Sequence, residues 1–142
     1  MHTFLLGYNL ESNDWSRPGV ASAFLEAAVT VHRALAVPCT IFVRGQTMEE
    51  RPDDFRRARD LAGDLVDFQQ YTYSALPLKT VCQEDSRGRT VLPGGSPALC
   101  RDDVARASDV MERTLGKRPI GLCGPAGAYC GLSDRPDLLE ML

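Results

Sequence analysis

The apolar residues of this chain fall alternately into short continuous runs and into stripes spaced three or four positions apart. Residues 2–8 form an apolar run bounded by turn-forming residues, which predicts a buried first strand. The β-branched and aromatic run 39–43 predicts a second strand, and the weaker run 66–70 predicts a third. A helical stripe separates each strand from the next, so the pattern predicts parallel βαβ units.

The first helix is predicted to begin near Ser16 and Pro18 and to end before Pro38, since proline favours the first turn and cannot continue a helix. Its predicted inward positions are Val20, Phe24, Ala27, Val31 and Leu35. His32 lies beside this stripe, and we expect it at the surface or at the boundary of the core.

A second helix is predicted from Pro52, with an inward face. The residues of this face are Phe55, Ala58, Leu61, Ala62 and Leu65. A third helix is predicted from Ser96 and Pro97 to a C-terminal cap at Gly116. The connection between these two units, residues 72–96, shows no evident structure, and long loops of this kind are often functional.

After the third helix, residues 119–123 predict a fourth strand, and Asp134 with Pro136 predicts the start of a fourth helix. The whole chain of 142 residues has the usual size of one domain, and its 44% hydrophobic content suffices for one core. We therefore expect a single domain over residues 1–142.

The charge pattern excludes two classes of partner. Sixteen basic and 19 acidic residues give a net charge of −3, so nothing indicates binding to nucleic acid or to an anionic membrane. The apolar run near Met1 lacks a basic leader and a small-residue cleavage site, and no stretch is long enough to span a bilayer. We expect a cytoplasmic protein.

The five cysteines do not suggest a disulfide framework or a structural zinc site, because their number is odd and no C-x-x-C pair is present. They are Cys39, Cys82, Cys100, Cys123 and Cys130. Reduced thiols packed as small apolar side chains are the expected state for most of them.

Three segments, in order and spacing, resemble the polysaccharide deacetylase family of NodB-homology domains. Residues 37–45, V-P-C-T-I-F-V-R-G, are similar to the family pattern P-A-T-F-F-V-x-G. Residues 67–75, D-F-Q-Q-Y-T-Y-S-A, resemble E-I-G-N-H-T-Y-S-H, and residues 119–127, P-I-G-L-C-G-P-A-G, resemble P-x-G-F-R-x-P-x-G. Residues 7–11, G-Y-N-L-E, occupy the place of T-F-D-D-G.

The resemblance implies an α/β fold, an incomplete irregular (β/α) barrel of the polysaccharide deacetylase type with mostly parallel strands. The site of such a barrel lies at the C-terminal ends of its strands. In the family a divalent metal polarises the acetamide carbonyl and activates water, an aspartate acts as base and a histidine as acid.

The residues that carry this chemistry differ here. By the resemblance, Asn9 stands at the base aspartate, and Leu10, Tyr71 and Ala75 stand at metal-binding positions. Cys123 replaces the arginine that orients the base. Leucine and alanine have no donor atoms, so we expect no metal ligands and no cofactor, and the five replacements together argue against the usual mechanism.

Two residues are candidate catalytic groups for metal-free acid–base chemistry. Glu11, just after the first strand, could act as a base if burial raises the pKa of its carboxyl; the alternative is an exposed loop carboxylate. Tyr71 could donate a proton or hydrogen bond; the alternative is a ring that fills the space left by the metal. The candidate ligand-binding residues are Asn9, Cys123, Trp15 and Tyr73.

The family barrel uses about seven strands, whereas four or five can be counted here, so edge strands would be left unpaired. We expect a homodimer or a partner chain that completes the barrel. Three functions stay open: binding of a small-molecule ligand with possible acid–base chemistry, a non-catalytic role in assembly or partner binding, and hydrolysis of C–N bonds by different groups.

Overall fold

The computed structural model describes residues 4–10, 19–86, 88–126 and 131–141. Its elements, in chain order, are β1 (Gly7–Leu10), α1 (Val20–Leu35), β2 (Cys39–Val43), α2 (Gly45–Glu50), α3 (Pro52–Ala62), β3 (Val66–Gln70), β4 (Val81–Asp85), β5 (Gly88–Leu92), α4 (Pro97–Leu115) and α5 (Pro136–Leu139). A 3-10 turn, Gly63–Leu65, joins α3 to β3.

The central sheet is parallel, with strand order β1-β2-β3. Leu10, Val43 and Gln70 are aligned across it, so the C-terminal ends of all three strands lie at one edge. An isolated parallel bridge between Gln70 and Leu122 extends the sheet beyond β3. The predicted α/β fold with mostly parallel strands is confirmed, and the described strands do not close into a barrel.

The predicted fourth strand is reduced to that single bridge. The side-chain oxygen Oε1 of Gln69 accepts hydrogen bonds from the backbone N–H groups of Ile120 (2.9 Å) and Gly121 (2.6 Å). Because these two amides bond to a side chain, only the pair Gln70 N–H to Gly121 O and Cys123 N–H to Gln70 O remains between the backbones.

The first strand begins later than the sequence predicted. It starts at Gly7, and the apolar side chains of Phe4 and Leu5 precede it and are exposed. His2, within the predicted strand, lies outside the described residues. Pairing with β2 sets where this strand begins. The first hydrogen bond between the two strands runs from Thr40 N–H to Leu6 O.

The buried face of α1 is rotated by about one residue from the predicted stripe. Its buried residues are Ala21, Leu25, Ala28, Val29 and His32, while Val20, Ala27, Val31 and Leu35 are exposed. Alanines allow a close approach to the sheet, and His32 is only 2% exposed because both of its ring nitrogens find partners. The expectation of a surface position for His32 was wrong.

Three elements, the strands β4 and β5 and the helix α2, were missed in the sequence. The segment 72–96 contains the antiparallel hairpin of β4 and β5, so the expectation of a structureless connection was wrong. The residues of β5 are largely exposed, so neither face shows the alternation that marks a half-buried strand. Helix α2 has only six residues, too few to show a helical stripe.

The helices pack on one face of the sheet. The rings of Phe55 on α3 and Phe68 on β3 meet edge to face at 5.8 Å, and Tyr8 on β1 meets Phe24 on α1 at 5.6 Å. The predicted caps of α4 are confirmed: Ser96 accepts a hydrogen bond from Leu99 N–H, and Gly116 adopts a left-handed conformation.

The opposite face of the sheet is partly open to solvent. Side chains alternate between the faces of a strand, so Asn9, Thr40, Phe42 and Asp67 project away from the helices. Asn9 is exposed and the other three are half-buried. No helix among the described residues is long and apolar enough to cross a membrane.

Candidate functional site at the C-terminal edge of the sheet

The strand ends bring three of the positions that the family resemblance singles out to one edge of the sheet. Leu10, Val43 and Gln70 are the last residues of their strands, and Tyr71 follows the third. Cys123 follows the bridge between Gln70 and Leu122, one strand position further along the edge. Leu10, Tyr71 and Cys123 are therefore collected where a (β/α) barrel places its site.

Two of the positions that the resemblance assigns to metal ligands are part of the protein interior. The Leu10 side chain is 6% exposed and belongs to the main hydrophobic core, and Tyr71 is 1% exposed. The backbone N–H of Tyr71 donates to Val43 O, which continues the pairing of β2 with β3 by one residue. Neither side chain presents a metal ligand to solvent.

Three further predicted residues are not placed at this edge by the structure. Asn9 is exposed and projects to the face opposite Leu10. Glu11 and Trp15 lie outside the described residues. Within the ranges that the structure describes, no three histidine, cysteine, aspartate or glutamate side chains are grouped so that they could hold a metal ion.

The loop after β3 is held in an unusual backbone conformation. Thr72 and Ala75 both have positive φ angles, 53° and 60°, which non-glycine residues adopt only when their surroundings impose it. Asp103 on α4 anchors the two residues between them, because its carboxylate accepts hydrogen bonds from Tyr73 N–H (2.7 Å), Ser74 N–H (3.2 Å) and the Ser74 hydroxyl (2.6 Å).

Tyr73 lies in a cluster that joins this loop to α2 and α4. Its hydroxyl donates to Glu49 at 2.7 Å, and the Arg106 guanidinium lies 3.7 Å from the centre of its ring. Arg106 and Arg113 also donate to Glu49. Burial and the hydrogen bond to Glu49 raise the pKa of the Tyr73 phenol, and the same bond, with the two arginines, lowers the pKa of Glu49.

Sequence reasoning missed a layer of buried polar side chains behind the edge. Arg44, directly after β2, is buried and donates to Gln46. The hydroxyls of Thr47 and Thr72 and Oε1 of Gln70 are buried without a hydrogen-bond partner among the described residues. A polar residue directly after a predicted buried strand was the available signal, because such positions face the site of a barrel.

A cavity of about 560 Å³ lies beside Cys123, a volume typical of small-molecule sites. We call it the Cys123 cavity. Its walls are mainly apolar, and Lys79 is the charged residue among those described that line it. Lys79 is nearly buried and bonds to Asp134 at 2.7 Å. The other lining residues are Leu78, Val81, Ile120, Leu122, Gly124, Pro125, Gly131, Leu132 and Leu139.

No disulfide joins any two of the four described cysteines. Burial raises the pKa of Cys39 and of Cys100, so both behave as small apolar core residues. Cys82 is exposed on the hairpin, and Cys123 is half-buried with its thiol 3.8 Å from Gly124 O. Cys130 lies outside the described residues.

Comparison with solved structures identifies the fold. The chain is similar to a CE4 family pseudoenzyme from Bacillus anthracis, with a TM-score of 0.68 and 14% identity over 96% of this chain and 38% of that one. It is also similar to a family 4 carbohydrate esterase from Streptomyces lividans, with a TM-score of 0.63 and 13% identity over 97% and 56%. A peptidoglycan deacetylase from Bacillus subtilis matches with a TM-score of 0.64 and 15% identity over 96% and 52%.

The chain therefore has the fold of the polysaccharide deacetylases, as the resemblance of its three segments implied. It spans between 38% and 56% of the length of these three structures. No model of a protein family matches the sequence, and no curated protein matches it. At 13–15% identity the likeness extends to the fold and not to the activity.

Proposed function

We propose that this chain is a polysaccharide deacetylase-like protein that lacks the divalent-metal site and binds a small organic ligand at the C-terminal edge of its sheet. The placement of Leu10 and Tyr71 carries the first part. A core leucine and an enclosed phenol ring take up the space where the family resemblance expects metal ligands. The observed side chains do not fit a divalent cation, because leucine offers no lone pair.

The Cys123 cavity supports the second part. An apolar cavity of this size with few polar groups is the common form of a small-molecule site. Lys79 is the charged group in its wall, and its bond to Asp134 keeps the ammonium in place. The ligand class that fits is an apolar or aromatic molecule with one acidic group.

The other predicted residues have proposed roles at the same edge. Glu11 and Tyr71 are the proposed acid–base pair, and Asn9, Trp15 and Tyr73 the proposed ligand contacts. The enclosure of Tyr71 favours its packing role over proton transfer. If an activity is found, Glu11→Gln and Tyr71→Phe should abolish it without unfolding the protein; full activity in both variants would remove this pair.

Binding of 1-anilinonaphthalene-8-sulfonate, an aromatic acid that fluoresces in apolar surroundings, tests the cavity. We expect saturable binding to the native protein and the loss of one binding site in Cys123→Trp, whose ring would fill the cavity. The matched control is Cys82→Trp, which makes the same change at an exposed thiol. Equal binding to both variants, or no binding to the native protein, would contradict the proposal.

A non-catalytic role in assembly is the second candidate, and the open face of the sheet favours it. Parallel sheets are normally covered on both faces, yet the described helices cover only one. We propose that a second copy of the chain or a partner chain packs against Asn9, Thr40 and Phe42. Two variants distinguish assembly from ligand binding. Phe42→Lys should disrupt assembly, whereas Cys123→Trp should leave assembly unchanged.

A further inference from the structure

A second cavity lies on the helix side of the sheet, between α4 and the segment 119–122. Its volume is about 510 Å³, again suited to a small molecule. We call it the Gln70 cavity. It is lined by Gln70, Arg101, Val104, Ser108, Arg118 and Leu122, among others. It shares Ile120 and Leu122 with the Cys123 cavity, but neither Cys123 nor Lys79 lines it.

Gln70 gives this cavity an unpaired hydrogen-bond acceptor. The side chain is only 5% exposed, and its Nε2 donates to the Ser108 hydroxyl at 3.0 Å. Ser108 in turn donates to Val104 O at 3.0 Å. This chain of bonds fixes the orientation of the carboxamide, so Oε1 is the atom left without a partner among the described residues.

A buried acceptor without a partner is unusual, because buried polar groups are almost always hydrogen-bonded. None of the described residues in the cavity wall donates a hydrogen bond to Oε1 of Gln70. A ligand that carries a hydroxyl or an N–H group would satisfy Oε1. Water is the alternative donor, and the ligand preference of a Gln70→Met variant distinguishes water from a ligand.

The charged groups at the cavity define the rest of the ligand. Arg118 is already paired, with Asp109 at 3.1 Å and Glu112 at 2.8 Å. Arg101 is exposed, and it has no acceptor among the described residues. A guanidinium of this kind binds a carboxylate well, since its N–H groups match both oxygens.

The remaining wall is apolar and open to an incoming molecule. Ile120 is 90% exposed, although it is one of the most apolar side chains of the protein. Val104, Leu122 and Met141 line the same space. An apolar body packed against these side chains would remove surface from water.

The geometry points to a second binding site at the Gln70 cavity, for a small organic acid that combines an apolar body with a hydrogen-bond donor. Arg101 pairs with the carboxylate of the ligand, Oε1 of Gln70 accepts from its donor group, and Ile120 and Leu122 pack against its body. This inference is independent of the proposed ligand at the Cys123 cavity.

Three related probes test each part of this recognition: 4-hydroxybenzoate, which has both groups, benzoate, which lacks the donor, and phenol, which lacks the carboxylate. Titrations followed through the ¹H–¹⁵N NMR signals of residues that line the Gln70 cavity should show 4-hydroxybenzoate binding there at least tenfold more tightly than either of the others. The side-chain amide signals of Gln70 should shift with it, which requires no variant. Equal affinity for the three probes, or no binding of any, would overturn the proposal.

Two variants test the proposed contacts of the ligand with Gln70 and with Arg101. Gln70→Met keeps the shape but removes the acceptor, so 4-hydroxybenzoate should lose its advantage over benzoate. Arg101→Gln should remove its advantage over phenol, while the control Arg57→Gln, which removes the same charge from α3, should keep both advantages. An unchanged preference in Gln70→Met would mean that only water bonds to Oε1 and would refute the site. Cys123→Trp should leave the binding of 4-hydroxybenzoate at the Gln70 cavity unchanged, as followed through the Gln70 side-chain amide signals, because Cys123 does not line this cavity.

Discussion

At the scale of single residues, polar groups that look incidental in the sequence hold the framework together. His32 is one of them. The Nδ1–H of its ring donates to Val37 O at 2.6 Å, so Nε2 is left to accept from the Tyr8 hydroxyl at 3.0 Å. This side chain connects the end of α1 to β1 through the core.

Replacement of His32 by leucine should destabilise the protein by about 1–3 kcal/mol, because two hydrogen bonds are lost and each contributes about 0.5–1.5 kcal/mol. The variant leaves the half-buried Tyr8 hydroxyl and the Val37 carbonyl without these partners. Urea unfolding measures the loss. The double variant with Tyr8→Phe should recover part of it, because that change removes one of the orphaned groups; no recovery would refute the role of the Tyr8 bond.

Asp103 is the second such residue, since one carboxylate accepts three hydrogen bonds from the loop after β3. Asp103→Asn should lower the free energy of unfolding by about 1–3 kcal/mol, because bonds to a charged acceptor are the stronger kind and an amide keeps a single acceptor oxygen. Asp102→Asn, at the exposed neighbouring position, is the control. Equal losses in the two variants would contradict the anchoring role.

At the scale of elements, the sequence predicted those with a strong periodic signal. The ranges of β2 and β3 and both ends of α4 are as expected, because β-branched runs and the Ser96 and Gly116 caps are local signals. Helix α1 was found but its buried face was not. Hydrophobicity alone ranks Val31 above His32, whereas burial here depends on hydrogen-bond partners that only the fold supplies.

The hairpin and the details of the candidate site could not be predicted from the sequence, because neither has a local sequence signal. The exposed strands β4 and β5 have no apolar face to detect. The strand-end position of Tyr71 followed from the family resemblance, but its enclosure depends on packing against elements distant in sequence. Asp103, which shapes the same loop, lies 30 residues from Tyr73.

Glu49 joins α2, the loop after β3 and α4, and its charge makes this junction sensitive to pH. Its pKa in the folded protein lies below the usual value. Its stabilising contribution is therefore complete above the usual carboxyl pKa of about 4.3 and is lost as the pH falls through the lower folded value.

Glu49→Gln should consequently be less stable than the native protein at pH 7, and the difference should shrink on acidification to about pH 3. The loss should be under about 1 kcal/mol per ion pair, since the groups are exposed to solvent. Urea unfolding at a series of pH values measures it, with Glu50→Gln as the control. A difference that is independent of pH would contradict the assignment.

At the scale of the whole molecule, the described chain resembles a barrel wall that is covered on one side. Three parallel strands and one bridge carry helices on one face and leave Asn9 exposed on the other. The matched structures contain additional chain, because this one spans about half of them or less.

We predict that this chain associates in solution through the open face. Light scattering after size exclusion should give twice the mass of the chain, 15.6 kDa, at micromolar concentration. Phe42→Lys should restore a monomer, because it places a charge in the centre of the contact. A native protein that is monomeric at that concentration would contradict self-association.

We propose that the deacetylase fold is present here without its divalent-metal site. The direct measurement is the metal content of the purified, undenatured protein by elemental mass spectrometry, with thermal unfolding during titration with zinc, nickel or cobalt. Our account predicts no stoichiometric metal and no stabilisation by any of the three ions. One tightly held ion per chain, with a rise in the unfolding temperature on its addition, would contradict this proposal and would favour hydrolysis of C–N bonds over the other two functions.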